Sequence, residues 1–194
     1  MTQNNLPSSG ISRVVQGLEA INQFIGQTIA WATLLMVLMT FMVVVMRYAF
    51  SMTFIAIDES VVYLHALVFL LGAAYTLQKD EHVRVDVFYR GFSLKTRVWI
   101  DFIGTLVFLI PVCVYIFVMS YDYVSLSWRI SETSTEAGGL PLVYLLKSLL
   151  LVMPALMLIQ GLAWLLSQAN FLFFKGPAPK LHNPDPLLKN EAEI

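Results

Sequence analysis

Residues 28–46 read TIAWATLLMVLMTFMVVVM, and this stretch of 19 residues without a formal charge decides the fold class. A helix needs about 20 apolar residues to cross roughly 30 Å of bilayer hydrocarbon. The stretch therefore predicts a membrane-spanning helix that stops at Arg47. Outward from it, later apolar runs predict three further spans, at about 55–77, 98–119 and 142–167.

The composition of the whole chain agrees with a membrane environment. Of 194 residues, 58% are hydrophobic and 13% are charged, whereas soluble domains carry about 25% charged residues. The sequence therefore predicts an all-α integral membrane protein, with four transmembrane helices over residues 28–167 plus interfacial amphipathic helices. The formal net charge is -1, and no basic stripe is present to hold phosphates, so nucleic acid is not an expected partner.

The segments outside the four spans are expected at the membrane surface or in solvent. Residues 1–27 place apolar side chains at helical spacing and polar ones such as Asn22 on the other face, which predicts a cytoplasmic N-terminus with an amphipathic surface helix. Residues 79–97 are too charged to span and are expected as a cytoplasmic interfacial helix or loop. Residues 120–139 are expected as an exposed loop, and residues 168–194 as a cytoplasmic tail.

The distribution of basic residues predicts the orientation of the chain. One side of a four-span arrangement would hold nine Lys and Arg residues and the other side three, namely Arg47, Arg129 and Lys147. Because loops rich in Lys and Arg remain in the cytoplasm, both termini and residues 79–97 are expected there. The protein is thus expected to be a multi-pass membrane protein whose Arg47 faces the outside.

Charged residues beside the spans are the candidates for contact with partners or for structural pairing, because charge inside a membrane is costly. Asp58 and Glu59 open the second span, and Asp101 opens the third, where the positive end of the helix dipole favours carboxylates. Asp58 and Glu59 also suit contact with a partner subunit. Lys147 lies in the first turns of the fourth span, where the dipole disfavours a cation, so we expect it to pair with Asp58, Glu59 or a partner's carboxylate.

Of the three His residues in the sequence, only His65 lies inside a predicted span, and two interpretations of its role stay open. It lies seven residues after Asp58 on the same helix face, which would permit a proton relay, whereas a His hydrogen-bonded between packed helices is the commoner case. Two axial His on facing spans, as in a membrane cytochrome, are lacking. Motifs for phosphate binding, metalloproteases or hydrolases are also missing, so we expect no enzyme activity and no catalytic, cofactor-binding or metal-binding residues in this chain.

Between about residues 40 and 166 the chain resembles the small, DctQ-like membrane subunit of tripartite ATP-independent periplasmic (TRAP) transporters. The ordered set of short motifs is what resembles the family, and the segment from His82 to Asp86 is its strongest piece. The motifs are Arg47-Tyr48, Asp58-Glu59, Leu71-Gly72-Ala73-Ala74, His82-Val83-Arg84-Val85-Asp86, Asp101, Ser127-Trp128, Gly139-Leu140-Pro141 and Lys147. Members often have a Trp shortly before the acidic pair, and here that stretch reads Phe54-Ile55-Ala56-Ile57.

The resemblance implies a partner and a role that the residues alone do not supply. Such subunits scaffold a large membrane subunit of the bacterial inner membrane that takes up organic acids with coupled sodium ions, after a periplasmic binding protein captures them. Sodium would then belong to the partner, and this chain would contact that subunit, the binding protein and membrane lipids. The residues expected to serve such interfaces or structural pairs are Arg47, Asp58, Glu59, Lys147, His82, Arg84, Asp86, Asp101 and Trp128.

Two other functions fit the sequence less well. The chain could anchor or signal within another membrane complex, or it could be a cytochrome-type membrane enzyme. A co-purifying large permease indicates the transporter subunit, and a Soret band indicates the cytochrome.

Overall fold

A computed structural model describes residues 10–82, 91–174 and 176–177 of the chain. Its helices are α1 (Gly10–Ala49), α2 (Ile55–Gln78), α3 (Leu94–Gly104), α4 (Ile110–Arg129) and α5 (Val143–Phe174), and a π-helical segment (Thr105–Leu109) joins α3 to α4. The described residues contain no strand. Taking Leu94–Arg129 as one unit, four helices are long and apolar enough to span a membrane, which confirms the predicted all-α membrane fold.

The helices extend beyond the apolar runs from which they were predicted. α1 is a single helix of 40 residues, about 60 Å long at 1.5 Å per residue, and no break near residue 27 separates its surface part from its span. The expectation of a loop over residues 120–139 is wrong for the first half of that segment, since α4 continues to Arg129. Residues 120–129 contain no Gly or Pro that would interrupt the helix.

α4 ends in a turn that returns the chain toward the helix. Ser131 adopts a positive φ of 47°, its N–H donates to the carbonyl of Trp128, and the N–H of Glu132 donates to the carbonyl of Ser127. These two bonds form a Schellman motif, which satisfies carbonyls left over at a helix end. The motif fixes Glu132 beside the last turn of α4.

The π-helical segment lies where the third span passes the central helix. Pro111 follows it and has no N–H for helical bonding, so the preceding turn is where the backbone must adjust. Gly161 of α5 faces this turn, and a Cβ atom on it would lie 2.6 Å from Cδ2 of Leu109. The missing side chain of Gly161 therefore permits close approach of α5.

α5 is the central helix of the bundle. It packs against α1, α2, α3 and α4, while α1 and α2 also pack on each other as an antiparallel pair. The α1–α2 and α4–α5 connections share one end of the bundle, here called the Arg47 end. The start of α1 and the end of α5 share the opposite end, here called the Asn22 end.

Candidate functional site

At the Arg47 end, an ion pair joins the last turn of α1 to the first turn of α2. One guanidinium nitrogen, Nη2 of Arg47, lies 3.1 and 3.2 Å from the two carboxylate oxygens of Asp58. The side chains are 49% and 32% exposed, respectively. Exposed pairs of this kind contribute about 0–1 kcal/mol to stability. The pair therefore shows where the two helix ends meet and adds little to the stability of the fold.

Glu59, the next residue, fastens the α4–α5 connection to α2. Its carboxylate accepts one hydrogen bond from the hydroxyl of Ser134 and another from the backbone N–H of Leu140, at 2.6 Å for the latter. Gly139 passes so close that an added Cβ would overlap Ser134 and lie 2.7 Å from the Glu59 carboxylate. A residue without a side chain is required at this position, because Gly139 lies close to both Ser134 and the Glu59 carboxylate.

Lys147 has the carboxylate partner that was expected, but within the chain this partner is Glu132, and the predicted pairing with Asp58 or Glu59 is wrong. Its ammonium lies 2.5 Å from the Glu132 carboxylate and 4.0 Å from the centre of the Tyr123 ring. The Schellman turn after α4 brings Glu132 to this position, whereas Asp58 and Glu59 are already engaged elsewhere. The hydrogen bond from Lys147 is the main cause that holds the pKa of Glu132 below its ordinary value.

Trp128 connects α4 to α5 beside this pair. Its indole Nε1–H donates to the hydroxyl of Ser148 at 2.8 Å, and its ring meets that of Tyr144 edge to face at 4.8 Å. Such an aromatic pair contributes about 0.5–1.5 kcal/mol beyond its buried area. Trp128 thus contacts α5, and it is also an exposed aromatic residue at the end of α4.

At the Asn22 end, two buried amide side chains link α1 to α5. Asn22 Nδ2 donates to Oε1 of Gln160 at 3.0 Å, and both residues are almost fully buried, at 1% and 0% exposure. The expectation that Asn22 lies on the polar face of a surface helix is therefore wrong. One turn later, Gly26 leaves room for the ring of Tyr75, which an added Cβ would overlap. Gly26, on the same helix face as Asn22, is the feature of the sequence that indicates close packing of α1 on another helix.

The remaining candidate residues lie apart from these contacts. Asp101 lies in α3, where its carbonyl accepts a hydrogen bond from the Thr105 hydroxyl. His82 is exposed just after α2. Arg84 and Asp86 fall outside the described residues. His65 does not meet Asp58, which binds Arg47; its ring stacks on Phe69 at 6.2 Å.

At the Arg47 end, three side-chain contacts join neighbouring elements of the bundle. Arg47–Asp58 joins α1 to α2, Glu59 joins α2 to the α4–α5 connection, and Glu132–Lys147 joins that connection to α5. Within the part of the chain that the structure describes, no group of three or more His, Cys, Asp or Glu residues could hold a metal ion. Each of the three contacts joins two different elements of the bundle.

A known protein family matches the region of the chain that contains these three contacts. Residues 36–170 match the family described as tripartite ATP-independent periplasmic transporters, DctQ component. Comparison with curated proteins and with solved structures gives no match. The matched region holds every contact of the Arg47 end and leaves out the first part of α1, including Asn22.

Proposed function

Because the chain belongs to the DctQ component family of the tripartite ATP-independent periplasmic transporters, we propose that it scaffolds the large membrane subunit of such a transporter. In this role it is the small permease subunit, and its large partner moves organic acids with coupled sodium ions after a periplasmic binding protein delivers them. This family is a transporter component and not a family of enzymes. The proposal therefore gives the chain a structural part in transport.

The observation that carries the proposal is the pairing of charged residues at the Arg47 end. Arg47, Asp58, Glu59, Glu132 and Lys147 all have partners within the chain, and each pair joins two different elements. A transport path needs polar groups that are free to bind substrate or ions near the bilayer midplane. Groups already committed to holding helices together suit a rigid support.

We place the subunit in the bacterial inner membrane, with both termini in the cytoplasm and the Arg47 end outside. The excess of Lys and Arg on the side of the termini supports this orientation. The α4–α5 connection, held by Glu59 and Lys147, would then face the periplasm in a fixed position relative to the membrane surface. A binding protein that docks on the transporter would meet a firm surface there.

Co-expression with the large subunit tests the proposal. The reading frames beside this one should encode a large multi-span permease and a secreted binding protein. A tagged copy of this chain should co-purify with that permease in detergent at a constant ratio, and an unrelated four-span protein carrying the same tag should not. Absence of such neighbours, or purification of the chain alone, would contradict the proposed function.

A further inference from the structure

His65 occupies an unusual position for a polar side chain of a membrane helix. It lies near the middle of α2, which runs from Ile55 to Gln78, and its side chain is exposed on the surface of the bundle. Its ring stacks on that of Phe69, and it makes no hydrogen bond or ion pair with the described part of the chain. The imidazole of this mid-span His therefore has no hydrogen-bond partner within the described residues.

Lipid is a poor environment for such a group. A neutral imidazole carries one donor and one acceptor, and hydrocarbon satisfies neither, so an exposed imidazole at mid-bilayer is costly. Ionisable residues inside spans almost always face protein or a water-filled cavity. We therefore expect that protein from outside this chain covers His65.

The neighbours of His65 form one face that suits helix packing. Val62 and Phe69, 59% and 72% exposed, lie one turn to either side of it. Ala66 and Gly72 share this side, and a Cβ on Gly72 would meet nothing within 4 Å, so the backbone is open to close approach. Small residues beside a polar one are typical of contacts between membrane helices. We call Val62, His65, Ala66, Phe69 and Gly72 the His65 face.

The sizes of these side chains argue against a second copy of the chain as the occupant. Two copies inserted in the same orientation and related by a two-fold axis along the membrane normal bring identical residues together at identical depth. Phe69 would then oppose Phe69, and these two large rings one turn away would keep the Gly72 backbones from approaching each other closely. A different helix, with bulk opposite Gly72 and a hydrogen-bonding group opposite His65, complements the face.

We propose that the His65 face is where a membrane helix of the large permease subunit packs, with a polar group of that helix hydrogen-bonded to His65. This inference rests on the proposed function and adds the surface through which it is exercised. Exposed residues on α4, such as Val118 at 61% exposure, lie at a similar distance from the Arg47 end and include no comparable mid-span His. Val114 and Val118 present apolar side chains there, which suits contact with lipid.

Photocrosslinking in the intact two-subunit complex tests the inference. Benzoyl-phenylalanine would replace Phe69 in one variant and Val118 in a matched control. We expect the Phe69 position to crosslink to the large subunit and the Val118 position to lipid. Crosslinks from Phe69 to a second copy, or to lipid alone, would overturn the inference while co-purification still supported the proposed function. If no complex forms, the proposed function fails and this inference fails with it.

Substitution of His65 supplies a second measurement on the same complex. His65→Leu keeps an apolar surface but removes the hydrogen bond, so the large subunit should bind about 3- to 20-fold more weakly. His65→Gln retains a donor and an acceptor and should bind within about twofold of the natural chain, as should the control Val118→Leu. Unchanged binding of His65→Leu would overturn the inference.

Discussion

The ammonium group of Lys147 is held by one carboxylate and one aromatic ring at the start of α5. Its side chain is only 16% exposed, and the positive end of the helix dipole lies nearby, so the Glu132 carboxylate offsets an unfavourable position. Glu132→Gln should therefore lower the thermal unfolding midpoint in detergent by several degrees. Adding Lys147→Met should recover part of the loss, because the unpaired cation is then also gone.

Glu136→Gln is the matched control for that pair, since Glu136 is an exposed glutamate of the same connection. It should leave the midpoint unchanged. A Glu132→Gln variant as stable as the natural chain would show that Lys147 does not depend on its carboxylate.

The pH dependence of stability should reveal the same carboxylate. Its pKa is lowered in the folded protein, chiefly by the hydrogen bond from Lys147, so the folded state binds this proton less readily than the unfolded state. The stabilisation is then fully present above the ordinary carboxyl value of 4.5 and is lost as the pH falls through the lowered folded value. The difference in midpoint between the natural chain and Glu132→Gln should shrink over that acidic range. A constant difference would contradict the assignment.

The need of Lys147 for a carboxylate could be predicted from the sequence, but the identity of that carboxylate could not. The direction of the helix dipole alone indicates that a cation in the first turns of α5 is unfavourable without a carboxylate beside it. Selecting Glu132 required the Schellman turn at Ser131, and such turns usually carry Gly, which this one does not. Sequence spacing therefore left Glu132 inside an apparent loop.

Among the helices, the contact between α1 and α2 depends on one missing side chain. Gly26 is buried against the ring of Tyr75, so Gly26→Ala should force the helices apart and destabilise the fold by about 1–3 kcal/mol, as overpacking does. Gly17 of the same helix meets nothing within 4 Å. Gly17→Ala should be neutral or stabilising, since Ala favours helix by about 1 kcal/mol over Gly. Equal effects of the two substitutions in denaturant titrations would contradict this packing.

The contact between α1 and α5 depends on the buried amides of Asn22 and Gln160. Replacing one of them alone with Leu leaves the other amide buried without its partner, at a cost of about 1–3 kcal/mol. Replacing both with Leu should cost much less than the sum of the two single changes. A double-mutant cycle on unfolding free energies measures this, and simple additivity would show that the amides do not interact.

The four spans could be predicted from apolar length, while the faces by which they pack could not. Length and hydropathy determine whether a helix crosses the bilayer, and the residues of α1, α2 and α5 give that signal clearly. Lipid and protein interiors are both apolar, so hydrophobicity does not show which side of a membrane helix is buried. Asn22 was therefore assigned to a polar surface, although it lies at the contact with α5.

In the whole molecule, α5 holds the other helices together, and paired charges close the Arg47 end. The family match covers residues 36–170, which include that end and the His65 face. Family membership could be predicted from the ordered motifs of the sequence. Which charged residues pair with each other could be determined only from the contacts in the structure. The proposed scaffold role therefore assigns the paired charges to stability of the bundle and the His65 face to the contact with the large subunit.

Substrate uptake into proteoliposomes tests the central claim that this chain supports transport without conducting it. Vesicles would contain this chain alone, the large subunit alone, or both, with the binding protein, a labelled organic acid and an inward sodium gradient. We predict sodium-dependent uptake only with both subunits, and none with this chain alone. Uptake by this chain alone, or equal uptake by the large subunit without it, would contradict the account.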